Sequence, residues 1–521
     1  MDGSGSGKSA SYSIPNAYQT LGSYIFTDPK GELYDKTAGY LKKQGYEIKV
    51  LNLVRPQLSD GYNPLMHISS ELDVDVIANT IVKGQKSEGG AGSEPYWDDM
   101  AEMLLKALIY YLIATRPEAE QNLASCAELV RAANSNGGSN LLTELMNQLP
   151  YDHPARTNYK SIEIAPEKTY GSILSSLQSK LGKFDSKEIA ELTSTDTIDF
   201  EEIAQQKTAV YVISSDTHTA YDFLLTIFFS QMIQQLYDFA DKSGGALPVP
   251  TFFILDEFAN IGKIPDFDKK ISTSRSRKIS FSVILQNLDQ LEAVYEKSYE
   301  TIIGNCDTHV FLGSNSQKTV EYFSKALGEK TIERESISVN KDKHNWRQGQ
   351  SVSDQVMARA LMTPDELRRM DNDLCIIFEK GVKPIQEKKF YYFQTPMAKK
   401  LAACEISHND IPEFDRGIWR KYNPYNPYVD DDDKKQQVEN LKVESLDDLF
   451  DDTPSEKEEK KTESKQEKSE WNELKIDSIP DKKEAPVLPQ EMDDEDELDK
   501  DLQKELEAKF DELFGPLNDE D

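Results

Sequence analysis

The stretch Thr251-Phe-Phe-Ile-Leu-Asp-Glu-Phe258 decides how this chain is read. Apolar and β-favouring residues run straight into two adjacent carboxylates, the pattern of a buried strand whose C-terminal end carries polar chemistry. Asp256 at that place can hold a metal ion, and Glu257 can polarise a water molecule; the plain alternative is a loop carboxylate pair or a helix cap. The opening residues, Gly3-Ser-Gly-Ser-Gly-Lys-Ser9, supply the complementary half. In the pattern G-x-x-x-x-G-K-[ST], backbone N–H groups wrap phosphates, the lysine reaches the terminal ones and the following hydroxyl binds Mg²⁺. Gly3, Gly5, Ser6 and Gly7 would form that cradle, with Lys8 as the cation and Ser9 and Asp256 as metal ligands. Asp2 stands where the pattern has its first glycine, and only Met1 precedes it. A phosphate loop is normally pinned between a strand and a helix N-terminus. The expectation is therefore a strand, and membrane-spanning helices, encoded upstream; a Gly/Ser leader ending in lysine by chance is the alternative.

Working outward, strand-like and helix-like runs alternate, which points to an α/β fold with a mostly parallel sheet covered on both faces. Tyr24–Thr27, Glu47–Leu53, Ala209–Ile213, Thr251–Leu255, Ile279–Leu285 and Thr308–Leu312 read as strands of one sheet. An insertion from Trp97 to Phe200 splits it. There Met103, Leu104, Ala107, Leu108, Tyr111 and Leu112 recur at helical spacing, a stripe for packing on other helices. The domains expected are residues 1–96 and 201–429 for the two parts of the α/β domain, 97–200 for the all-α insertion, and 430–521 for an acidic tail.

The net charge of −32 is uneven: residues 430–521 hold 35 acidic and 14 basic side chains, leaving −11 on residues 1–429. Bulk charge thus gives no argument for nucleic-acid binding, which needs a basic face. The tail is too polar to offset its chain entropy and reads as disordered, with Leu446 to Phe450 and Leu498 to Phe514 as candidate docking segments. Four scattered cysteines imply neither a zinc site nor a disulfide framework. No apolar run is long enough to span a bilayer.

Gln286 closes the run Ile279–Leu285, where an amide can donate to a terminal phosphate and accept from a lytic water, or simply face solvent. Arg275 and Arg277 precede the same run; a guanidinium can stabilise transition-state charge across a subunit boundary, although two arginines in a polar loop need no such role.

The ordered set of motifs resembles the soluble ATPase region of TraG/TraD-like coupling proteins of type IV secretion and conjugation. It comprises the phosphate loop, Asp28-Pro-Lys-Gly-Glu-Leu33, Asn63-Pro-Leu65, Ile254-Leu-Asp-Glu-Phe258, Arg275-Ser-Arg277, Ile284-Leu-Gln286, Asn305-Cys-Asp307, Phe311-Leu-Gly313 and Met362-Thr-Pro-Asp-Glu-Leu367. The resemblance implies a RecA-like P-loop NTPase domain with an inserted all-α domain that receives cargo, assembled as a homo-hexamer at the cytoplasmic face of the membrane. ATP and Mg²⁺ would be its cofactors. Its partners would be single-stranded, relaxase-linked DNA, the relaxase and accessory proteins, and the secretion channel. It also places Lys8, Ser9, Asp256, Glu257 and Gln286 at the nucleotide and Arg275 or Arg277 near a neighbouring subunit's site. The rivals are a segregation or packaging translocase of the same fold and a non-hydrolysing cargo adaptor.

Overall fold

Ser23–Thr27 (β1) is buried from end to end, and its alternation explains the architecture. Ile25 joins one apolar cluster, whereas Tyr24 and Phe26 join another on the opposite face. A strand covered on both sides is lined mainly by apolar side chains, so charged side chains are left to the loops that follow it. The computed structural model describes residues 7–84, 95–135, 141–215, 221–340, 349–414 and 416–425. Gly3, Gly5 and Ser6, and the tail 430–521, lie outside the described residues.

Glu47–Asn52 (β2), Thr208–Ile213 (β3), Thr251–Leu255 (β4) and Ile279–Val283 (β5) flank β1 in the order β2-β3-β1-β4-β5. All four ladders are parallel, with Phe26 level with Tyr211 on one side and Ile254 on the other. Ile14–Tyr18 (α1) and Glu32–Lys43 (α2) cover the face bearing Tyr24, Phe26 and Tyr211. The opposite face packs into the larger cluster, which includes Glu71–Lys83 (α3) and a run of helices. These are Pro95–Thr115 (α4), Leu123–Ser135 (α5), Leu141–Asn147 (α6), Pro154–Glu163 (α7), Glu167–Leu181 (α8), Lys187–Leu192 (α9) and Phe200–Gln205 (α10).

The stripe read on α4 is real: Leu104, Ala107, Leu108, Tyr111 and Leu112 are buried, with Met103 partly buried at its margin. It faces α3, α5, α7 and α8. Each fully buried leucine of that kind contributes about 1.5–3 kcal/mol, enough to hold a helical layer without a sheet of its own. Asp222–Lys242 (α11) is apolar around most of its girth because it touches α3 and α10 while lying in the same core as β3 and β4. No helix among the described residues is long and apolar enough to cross a membrane.

The expectation of one sheet fails at its last member. Thr308–Phe311 (β6) leaves the parallel sheet, which ends at β5. Glu329–Asn340 (β7) and Gly349–Ala360 (β8) form an antiparallel ribbon, and β6 pairs antiparallel with Leu374–Glu379 (β9), which in turn pairs with Ile385–Lys388 (β10). The reason is visible in β6: Phe311 is buried among Val320, Phe323, Leu367 and Ile376, while Val310 is exposed. Such a one-sided strand suits an antiparallel sheet with one covered face, and an apolar run alone does not reveal which sheet it joins.

Asp28, just beyond β1, is buried and accepts the Tyr34 N–H at 2.8 Å. Burial pushes its pKa up to about 7, against the pull of that hydrogen bond. The folded protein therefore holds a proton that an unfolded aspartate releases near pH 4, and Asp28 costs stability progressively as pH rises from about 4 to 7. We expect Asp28→Asn to melt a few degrees above the wild type at pH 8 and to converge with it near pH 4. Parallel melting curves across that range would contradict this.

Candidate nucleotide site

Gly7 takes φ +71°, a left-handed backbone that suits glycine, and the chain then turns directly into helix. The Ser11 N–H and hydroxyl both donate to the Gly7 carbonyl, at 2.8 and 2.7 Å. Ser9–Ser13 is wound as a π-helix before continuing into α1, a local widening that recurs at functional sites. Two tyrosines fix this stretch to the sheet. Tyr12 shares a hydrogen bond with the Ser282 hydroxyl of β5 (2.8 Å), and the Tyr24 hydroxyl of β1 donates to the Asn16 carbonyl (3.0 Å).

Beyond β4 the backbone bends sharply. Glu257 adopts φ +51°, an arrangement that costs a non-glycine residue about 1–3 kcal/mol and persists only where its surroundings enforce it. Here the Thr27 hydroxyl donates to the Asp256 carbonyl (2.6 Å), the Glu257 N–H donates to Asp256 Oδ1 (3.0 Å), and the Glu257 carbonyl accepts the Asn260 N–H (2.8 Å). Phe258 then plugs the turn into the core, fully buried, with ring centroids 4.9 Å from Phe267 and 5.7 Å from Tyr295. Its N–H reaches the Ile284 carbonyl (3.1 Å), while the Ile284 N–H reaches the Leu255 carbonyl (3.0 Å). This pairing carries β5 past its last ladder residue and delivers Gln286 beside Glu257.

The result is a convergence on one oxygen. Glu257 Oε1 lies 3.2 Å from Lys8 Nζ and accepts the Gln286 side-chain N–H at 3.0 Å. Side chains 249 and 29 positions away in sequence thus meet at a single carboxylate. Asp256, beside it, is partly buried; desolvation raises its pKa, Lys8 opposes the rise and Glu257 adds to it. Among the described residues its carboxylate accepts one hydrogen bond, from the Glu257 N–H. A desolvated carboxylate next to a second one is the environment a dication relieves, so Asp256, together with the hydroxyl of Ser9 that follows Lys8 in the chain, suits a hard, oxygen-seeking cation such as Mg²⁺.

Arg275 and Arg277 do not join this cluster. They precede β5, whereas Gln286 follows it, which separates them from the site by a strand of about 17 Å. Arg277 forms a bidentate pair with Asp241 (2.9 and 3.0 Å) and lies over the Tyr237 ring; Arg275 is 95% exposed, 3.9 Å from Asp307. Sequence reading missed Thr27, Tyr12 and Ser282, all hydroxyls whose partners are remote in the chain and leave no motif.

The family described as type IV secretory system conjugative DNA transfer matches residues 1–413. The chain belongs to that family. Among curated relatives of this coupling-protein family, the chain is similar to protein VirD4 of Rhizobium rhizogenes, at 24% identity over 77% of this chain and 59% of the relative. It is similar to conjugal transfer protein TraG of Escherichia coli at 26% identity, covering 76% and 67%. It spans about three fifths of the VirD4 relative's length. Among solved structures, the bacterial conjugative coupling protein TrwBdeltaN70 in complex with sulphate shares the RecA-like fold. The TM-score is 0.53 at 16% identity, over 74% of this chain and 83% of that one.

The Phe258 plug makes a structural prediction. Phe258→Ala should cost about 3–5 kcal/mol by opening a core cavity, read as a shift in the denaturant midpoint, because the turn at Glu257 depends on it. A change below about 1 kcal/mol would mean that the strained turn is held elsewhere.

Proposed function

We propose that the protein is the ATP-driven coupling motor of a conjugative type IV secretion system, recruiting relaxase-bound DNA or protein cargo and delivering it to the channel. The observation that carries this reading is the meeting of Lys8, Glu257 and Gln286 at the C-terminal edge of a parallel sheet, next to a desolvated Asp256. Ligands of open α/β sheets bind outside the carboxyl ends of the strands.

Phosphoryl transfer to water needs the phosphates fixed, their charge neutralised and one water aimed in line. Ser9 and Asp256 would hold Mg²⁺, which supplies charge neutralisation at the phosphate oxygens. Lys8, whose pairing with Glu257 occupies it in the structure, transfers to the phosphates when nucleotide binds. Glu257 is then released to orient and polarise the attacking water, and Gln286 keeps its hydrogen bond to the same carboxylate or turns to the terminal phosphate. The Lys8–Glu257 pair thereby serves as a resting arrangement that nucleotide replaces.

The helical insertion of residues 97–200 would receive cargo, between the two parts of the motor domain, 1–96 and 201–429. Arg275, exposed before β5, would reach a neighbouring subunit of a hexamer, whereas Arg277 would first have to leave Asp241. Single-stranded DNA, the relaxase, channel proteins and the cytoplasmic face of the membrane complete the proposed setting.

The test is Mg²⁺-dependent ATP hydrolysis by the full-length protein, with and without single-stranded DNA. Lys8→Ala and Glu257→Gln should each lower turnover at least 100-fold, and Gln286→Ala about tenfold or more, with Lys8→Ala also weakening nucleotide binding. Unchanged turnover in Glu257→Gln would refute the assignment of the water-activating residue. Absence of hydrolysis in the wild type under every condition would favour a non-hydrolysing adaptor.

A further inference from the structure

The cradle and its carboxylates account for the phosphate end of a nucleotide and leave its base without a partner, since Gly7, Lys8, Ser9, Asp256, Glu257 and Gln286 are all small or polar. Immediately beside them stands an aromatic cluster that the phosphate chemistry does not use. A Cβ placed on Gly7 would fall 2.8 Å from Tyr391 Cε1 and 3.4 Å from its hydroxyl, so this ring touches the phosphate-loop glycine itself. Phe393 stacks on Tyr391 with centroids 5.0 Å apart and planes inclined by 22°, and Tyr392 meets it edge-on at 5.7 Å.

Tyr392 packs into the apolar cluster around β1, and the turn Tyr392–Gln394 lies against Ser9–Ser13. The backbone here is fixed: the Gln394 and Thr395 N–H groups close onto the Tyr391 and Tyr392 carbonyls at 3.1 Å each. Upstream, the buried Lys389 donates from Nζ to the Leu312 carbonyl (2.8 Å). Phe393 is therefore held by two rings and a rigid turn, yet remains 55% exposed. A large apolar ring kept in water on a firm base, next to a site for a highly charged ligand, is suited to stacking on a flat partner.

We propose that Phe393, backed by Tyr391, is the stacking platform for the purine base of the bound nucleoside triphosphate. This rests on the nucleotide reading above. Because a ring face accepts any purine, the platform sets affinity without choosing between adenine and guanine.

Calorimetric binding of Mg²⁺ complexes of ATP, GTP and inorganic tripolyphosphate to the full chain tests the proposal. Phe393→Ala should weaken ATP and GTP about tenfold or more and leave tripolyphosphate within about twofold, whereas Lys8→Ala should weaken all three. Phe393→Trp should retain ATP affinity and show fluorescence quenching by ATP but not by tripolyphosphate. Unchanged ATP affinity in Phe393→Ala, with Lys8→Ala still defective, would overturn the platform while sparing the nucleotide site. Equal losses for ATP and tripolyphosphate in Phe393→Ala would mark Phe393 as merely structural and overturn it too. Wild-type protein that binds none of the three would remove both readings together.

Discussion

Everything at this site depends on the backbone between Asp256 and Glu257, where a buried strand must turn abruptly and present two carboxylates without unfolding its end. The left-handed Glu257 is costly by itself, and it is held from three directions. Thr27 from the central strand grips the preceding carbonyl, Ile284 of the neighbouring strand takes the following N–H, and Phe258 seals the turn in the core. Each restraint comes from a different segment, so the geometry exists only once the sheet has assembled. Strain at a functional turn, enforced by packing around it, is how a scaffold presets a reacting group.

The electrostatics follow from the same arrangement. Burial at the strand end raises the pKa of Asp256, Lys8 pulls it back and the neighbouring Glu257 adds to the rise. Lys8 relieves this in the structure by pairing with Glu257 at 3.2 Å, with both side chains largely withdrawn from solvent. Under the proposed function, a ligand bearing a dication and phosphates would offer each partner a stronger one. Binding can therefore exchange contacts at little net cost in buried charge, which is a more favourable route than burying new charges unpaired.

Much of this was legible in the sequence because it is written in local pattern. The apolar run into Asp256 and Glu257, the strand at Ala209–Ile213 and the stripe on α4 each follow from periodicity and burial acting on contiguous residues. What escaped depends on pairing between distant segments. The four residues of β6 look like any short strand, and only the exposed Val310 and buried Phe311, seen in place, show that they belong to an antiparallel sheet. Thr27 is one hydroxyl at the end of an apolar strand; that it grips a carbonyl 229 positions away leaves no mark in spacing. Tyr391 likewise reads as one aromatic in a cluster until the fold lays it on Gly7.

The most direct measurement is a structure of the protein bound to Mg²⁺ and a non-hydrolysable ATP analogue. Lys8 Nζ is expected to leave Glu257 and come within about 3 Å of phosphate oxygens, with Glu257 and Gln286 facing the terminal phosphate. Nucleotide bound away from Gly7 and Asp256, or Lys8 still paired with Glu257 in the bound state, would contradict it.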